Sequence, residues 1–315
     1  MQLSLVRGRS HGAHLVVRLM SMVVGLAVVA SACTGSADDE LGTDEFDSGV
    51  TDTGSSDSAS ADLEKVDALG CDRETIGEQD GALVSALAVD DGEIVGLCFG
   101  SDDPRLERAW DELVAITPAE ELADIDLVAG FDQADGDTLA FASMIGASNE
   151  EFVVAINLPL AENDPEELRL TLAHEVAHVF AQTPDQLDVD VAEDACDTFF
   201  NGNGCLLADS YVMRWIDSFW TGEELSSIPD PTMADEDGAD DRCSLNPTYL
   251  GPYAASHPEE DFAESFSAFV FDLDVAPSVQ PKLDFFEQFP ELVQFRTQVE
   301  TEGIPSPPNN FEECG

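Results

Sequence analysis

The chain has 315 residues, 43% of them hydrophobic, enough for one large domain or two small ones with a sizeable core. Against 66 acidic residues stand 12 basic ones, a formal net charge of -54, and only two lysines occur, Lys65 and Lys282. Nucleic-acid binding needs clustered Lys and Arg, so that class is excluded, and anionic headgroups would repel such a surface.

Residues 1–32 contain no Asp or Glu. Arg7, Arg9 and Arg18 lead into the apolar run Leu19 to Ala32, the layout of a secretory signal and too short for a comfortable membrane span. The run ends Val29-Ala30-Ser31-Ala32-Cys33. Small residues directly before a cysteine resemble the bacterial lipoprotein signal. That resemblance implies a palmitate-bearing Cys33 as the new N-terminus and a lipid anchor on the extracellular side of the cell membrane. The alternative is an ordinary cleaved signal. Residues 33–68 are rich in Ser, Thr, Asp and Gly, with Phe46 as their one aromatic, and cannot bury enough apolar surface to offset chain entropy. They are expected to form a disordered acidic tether spanning roughly 30 Å. Residues 69–315 then form the folded domain.

With Cys33 lipidated, six cysteines remain, an even count that suits an oxidising compartment. The expected pairs are Cys71–Cys98, Cys196–Cys205 and Cys243–Cys314, the second closing a short loop over Asn201-Gly202-Asn203-Gly204. The absence of any CxxC argues against a zinc ribbon or a thioredoxin-type site.

Along the domain, residues 92–100 predict a strand. Pro104 opens a helix through Ile116, with Leu106, Trp110, Leu113 and Val114 on one side. The apolar runs 125–129, 139–145 and 152–158 predict further strands. Asn163-Asp164-Pro165 caps a long helix over 165–182, stopped by Pro184. Later helices are expected at 207–220, 259–273 and 283–300, and 221–250 is expected to be loop. The acidic stretch Asp235 to Asp241 lacks the alternating ligands of a helix–loop–helix calcium site and predicts an exposed loop. The phenylalanines between 266 and 289 are expected in the core. Strands first and helices later give an α+β class: a small, mostly antiparallel sheet packed on an active-site helix, followed by a mainly helical C-terminal part.

The chemistry lies in the long helix. His174-Glu175-Val176-Ala177-His178 puts two imidazoles one turn apart on one face, where both can bind a single Zn²⁺. Glu175 sits beside them and can take a proton from an activated water. A catalytic zinc needs a third protein ligand. The positions that would carry Gly and His in a metzincin are Ala181 and Pro184, so that pattern fails. Downstream, Pro258 and the Ser256/Glu259 pair predict a helix start with a capping box. Glu260 and Glu264 share a face of that helix. The first can be a zinc ligand and the second can hold a ligand histidine's other nitrogen. Glu259 or Asp261 could be the ligand instead, and His257 is either a surface residue or poised over a substrate oxyanion.

An HExxH helix followed by a Glu-x-x-x-Glu helix resembles the gluzincin zinc metallopeptidases. Glu260-Asp261-Phe262-Ala263-Glu264-Ser265-Phe266 is similar to the matching helix of the anthrax-lethal-factor-like branch, which has a tyrosine seven residues before the ligand Glu, here Tyr253. The resemblance implies one catalytic Zn²⁺ held by His174, His178 and Glu260, Glu175 as general base, Tyr253 stabilising the oxyanion, and Glu264 supporting a ligand. Tyr249 is the rival for the tyrosine. The resemblance also implies that the strand before the metal helix, 152–158, is the cleft edge that pairs with an extended peptide. The expected partner is a peptide or protein substrate, with membrane contact through the lipid alone and a monomeric state. The competing reading is a non-catalytic surface lipoprotein or binding module with a structural or vestigial metal. A third is a zymogen whose first hundred residues cover the cleft.

Overall fold

The computed structural model describes residues 82–146 and 148–315. The signal segment, Cys33 and the expected tether lie outside the described residues. Among the described residues, no helix is long and apolar enough to cross a membrane.

Five strands form one sheet: β1 (Ala82–Asp90), β2 (Glu93–Gly100), β3 (Ile125–Asp132), β4 (Ala140–Met144) and β5 (Phe152–Asn157), in the order β2-β1-β3-β5-β4. Every pairing is antiparallel except β3 with β5. The sequence reading missed β1. Its signal was the Asp91-Gly92 pair between two apolar runs. Both residues take positive φ, 47° and 79°, as a two-residue hairpin turn requires. All six residues of β5 are buried, alternating between two apolar clusters on the two faces of the sheet, and β5 has a strand on either side. The expectation that 152–158 is the cleft edge is therefore overturned, and the edge strand next to β5 is β4. Buried Asn157 fixes this arrangement: its amide donates to the carbonyls of Gln133 (3.0 Å) and Thr138 (2.9 Å) and so pins the loop that leads into β4.

Helices α1 (Pro104–Ile116), α2 (Ala119–Leu122) and α3 (Leu158–Asn163) precede the central helix α4 (Pro165–Phe180). Asp164 caps α4 by accepting from the Glu167 amide at 3.0 Å. From Leu168 to Phe180 every residue of α4 but Arg169 is buried, since the sheet covers one side and the C-terminal helices the other. That placement explains why the apolar residues of this helix are not confined to one stripe.

After two short strands, β6 (Leu187–Asp188) and β7 (Cys205–Leu206), come α5 (Tyr211–Phe219), α6 (Gly222–Ser227), α7 (Glu236–Leu245), α8 (Gly251–Ala254), α9 (Pro258–Val270), α10 (Gln280–Phe286) and α11 (Pro290–Glu302). Residues 221–250 are thus not one loop. Asp235 to Asp241 is not an exposed loop but the cap and first turns of α7. Asp235 accepts from the Gly238 amide, and acidic residues are favourable at a helix N-terminus. The expected helix over 283–300 is two helices, broken where Pro290 starts a new one. The phenylalanines are core as expected, with Phe262, Phe266, Phe286 and Phe295 packed edge-to-face around Phe180 and Trp215.

Two of the expected disulfides, Cys196–Cys205 and Cys243–Cys314, form. Cys98 is also disulfide-bonded. Its expected pairing with Cys71 lies outside the described residues.

Candidate metal centre

His174 and His178 project from α4 toward α9, which packs along it and carries Glu260. His174 Nε2 and His178 Nε2 are 3.0 Å apart. Glu260 Oε2 lies 3.1 Å from the first and 3.4 Å from the second. All three side chains are buried, and their ligand atoms fall within 4.8 Å of one another. On its other side, His174 Nδ1 is buried and faces Glu264 Oε1 at 3.4 Å. A proton on Nδ1 leaves a lone pair on Nε2, aimed at the other two atoms.

Charge reinforces this geometry. Burial alone would lower both imidazoles, but Glu260 and the neighbouring carboxylates hold His174 well above, and His178 above, the ordinary 6.5. Burial alone would likewise raise Glu260, yet the two histidines hold it well below the usual carboxylate range. Three groups that would each accept a dipositive ion are stabilised by sharing protons instead. Metal uptake must displace those protons. Zinc affinity should therefore rise with pH through and above 6.5, and binding should release protons. Calorimetry in two buffers of different ionisation enthalpy checks this, and equal heats in both would contradict it.

Glu175 is 2% exposed. Burial raises its carboxyl, the two histidines oppose that, and a backbone hydrogen bond from Ala142 on the edge strand β4 holds it in place. Of the two candidate tyrosines, Tyr253 is the one beside the cluster. Its ring centroid is 6.0 Å from that of His174, and its hydroxyl hydrogen-bonds Glu260. Burial, then the charges of Glu260 and Glu175, push its phenol well above 10.0. Gly251 makes the turn into α8 with φ 93°, a conformation that favours glycine, and so delivers Tyr253 to the site. Tyr249 points elsewhere and donates to Glu224 at 3.1 Å.

The rival acids are turned away. Glu259 accepts from Asn201 Nδ2 at 2.7 Å. Asp261 is completely buried on another face of α9, held by Lys282 Nζ at 2.6 Å and by the indole N–H groups of Trp215 (2.9 Å) and Trp220 (3.0 Å). His257 is neither a surface residue nor poised over the centre. It is the N-cap of α9 in place of the expected Ser256: its Nδ1 accepts from the Glu259 amide at 3.3 Å and its Nε2 donates to the Pro231 carbonyl at 3.0 Å.

Arg242 escaped the sequence reading. It is buried and donates to the carbonyls of Ala255 (2.6 Å) and Ser256 (3.3 Å) and to Asp235 Oδ2 (2.8 Å). It thereby ties α7 to the turn between α8 and α9, the two elements carrying Tyr253 and Glu260. A lone arginine in an acidic stretch gave no sequence signal for this role.

No family model matches the sequence, and no curated protein does either. Among solved structures, a candidate zinc-binding metallo-peptidase from Bacteroides caccae is similar, at 13% identity and a TM-score of 0.38, over 79% of this chain and 94% of that one. So distant a likeness transfers neither residues nor chemistry.

Proposed function

We propose that the chain is a zinc-dependent, gluzincin-like metallopeptidase that hydrolyses peptide bonds outside the cytoplasm, displayed on a bacterial membrane by lipid at Cys33. The observation that carries the reading is the convergence of two imidazole nitrogens and a carboxylate oxygen beside a buried glutamate and a tyrosine hydroxyl. Two nitrogens and one oxygen are a donor set that suits Zn²⁺ with one position left open. His174, His178 and Glu260 would hold the ion, with Glu264 orienting His174. Bound there, zinc supplies a Lewis acid that polarises the scissile carbonyl and acidifies water.

Glu175 takes the proton from the attacking water and hands it to the departing amine, and its raised pKa suits both transfers. Tyr253 donates its hydroxyl proton toward the oxygen that gains charge, and its high pKa keeps that proton in place. The outer side of β4 offers backbone groups to an extended peptide, a role this reading moves from β5 to β4.

A peptide library digested with the zinc-loaded chain, and again after chelation, tests the reading. Cleavage that vanishes on chelation and returns with zinc is expected. A loaded chain that cleaves nothing in a broad library would leave only a binding module.

A further inference from the structure

Tyr253 stands on α8, a helix of four residues. A single turn of helix has no stability of its own, so the aim of this hydroxyl is set by what grips the chain on either side. Downstream, Arg242 holds the carbonyls of Ala255 and Ser256. Upstream lies the turn 246–250, and packed core does not back all of it. A cavity of about 300 Å³ lies against Pro247, Tyr249 and Leu250, and Asn309, Phe311 and Cys314 form part of its opposite wall.

That wall is part of the segment 304–315, which has no helix or strand of its own. Gly303 ends α11 in the left-handed conformation (φ 67°), and the Ile304 N–H returns to the Val299 carbonyl at 3.0 Å, which turns the chain back. Ser306 Oγ then donates to the Phe271 carbonyl at the end of α9 (2.8 Å). Asn309 Nδ2 donates to the Asp274 carbonyl (2.7 Å), and Asn310 Nδ2 to Glu167 Oε2 in the first turn of α4 (3.3 Å). Phe311 packs against the large core. Beyond it the chain closes on the turn. The Glu312 backbone lies 3.6 Å from where a Cβ on Gly251 would stand, Cys314 is bonded to Cys243 of α7, and Gly315 packs on Pro247. Tyr249 anchors the middle of the turn to Glu224, while this segment holds both ends. One stretch of chain is thus tied to α4 and α9, which carry His174, His178 and Glu260, and to the turn that delivers the tyrosine.

We propose that residues 304–315, locked by the Cys243–Cys314 disulfide, are a clamp that positions Tyr253 over the metal centre. The segment touches neither ion nor substrate; it acts through Tyr253. Its effect on turnover rests on the peptidase reading above, and its grip on the turn rests on the packing alone. Opening the disulfide frees both ends of the turn, so the hydroxyl drifts while the three ligands stay on their long helices. A shift of about 1 Å at a group that must meet the reacting atoms costs roughly 10²-fold in rate.

The double variant Cys243→Ser/Cys314→Ser of the zinc-loaded full-length chain tests this. Zinc content and KM should match the parent while kcat falls roughly ten- to a hundredfold. Amides of 247–256 should exchange roughly tenfold faster, with those of α4 still protected. Asn309→Ala, which keeps the disulfide, should move kcat and exchange in the same direction by less. In a Tyr253→Phe background the serine pair should cost less than about twofold, because the group it positions is already gone. An equal loss in both backgrounds, a loss of zinc, or a kcat like the parent's would overturn the clamp. If the parent cleaves nothing, the peptidase reading fails, and the exchange measurement still decides the clamp: unchanged exchange over 247–256 overturns it.

Discussion

Glu175→Gln is expected to keep its zinc and lose peptide turnover by roughly 10²–10⁴-fold, the usual share of a positioned general base. The amide has nearly the same volume and can still accept from the Ala142 backbone, so α4 and β4 keep their spacing. What it cannot do is take a proton. Zinc content and thermal stability should match the parent while kcat falls. A variant that cleaves as well as the parent would remove Glu175 from the chemistry, whatever the metal does.

The second large effect is on stability. Asp261 and Lys282 form a buried ion pair, with two indole N–H groups on the same carboxylate and the ammonium 4.1 Å from the centroid of the Tyr249 ring. Asp261→Ala leaves a buried ammonium and two donors without an acceptor, at a cost of about 3–5 kcal/mol. For a domain of this size that lowers Tm by roughly 10 °C. Lys282→Met should cost a similar amount. The double change to Leu and Met should cost clearly less than the sum, because apolar side chains replace both charges together. Thermal unfolding of the three variants checks this, and additive losses would show that the two residues do not act as a pair. Zinc affinity should fall with Asp261→Ala as well, since that anchor sets the rotation of α9 and hence the aim of Glu260.

The parts of the centre legible in the sequence are those set by local spacing. His174 and His178 are four apart on a helix that announces its own start with Asp164-Pro165, so their shared face follows from helix geometry. Glu260 and Tyr253 were reached through resemblance, and Glu259, Asp261 and Tyr249 stayed open beside them, because the rotation of α9 depends on what its other faces bury. Trp215, Trp220 and Lys282 decide that rotation, and they lie 46, 41 and 21 residues away from Asp261. In the fold, the long apolar runs predicted strands well, but the identity of the edge strand depended on chain order in the sheet. That order is set by the loop that Asn157 pins, not by the composition of β4 or β5. The α7 helix was misread because its acidic residues look solvated until Arg242 is seen to pair with Asp235.

The central claim is that His174, His178 and Glu260 hold one ion together. Its most direct test is zinc per chain, measured by plasma mass spectrometry after dialysis against a weak chelator, on the wild type and on Glu260→Ala. About one zinc is expected in the wild type and little in the variant, since two imidazoles alone make an incomplete site. A variant that keeps the full complement, or a wild type that binds none at neutral pH, would contradict it.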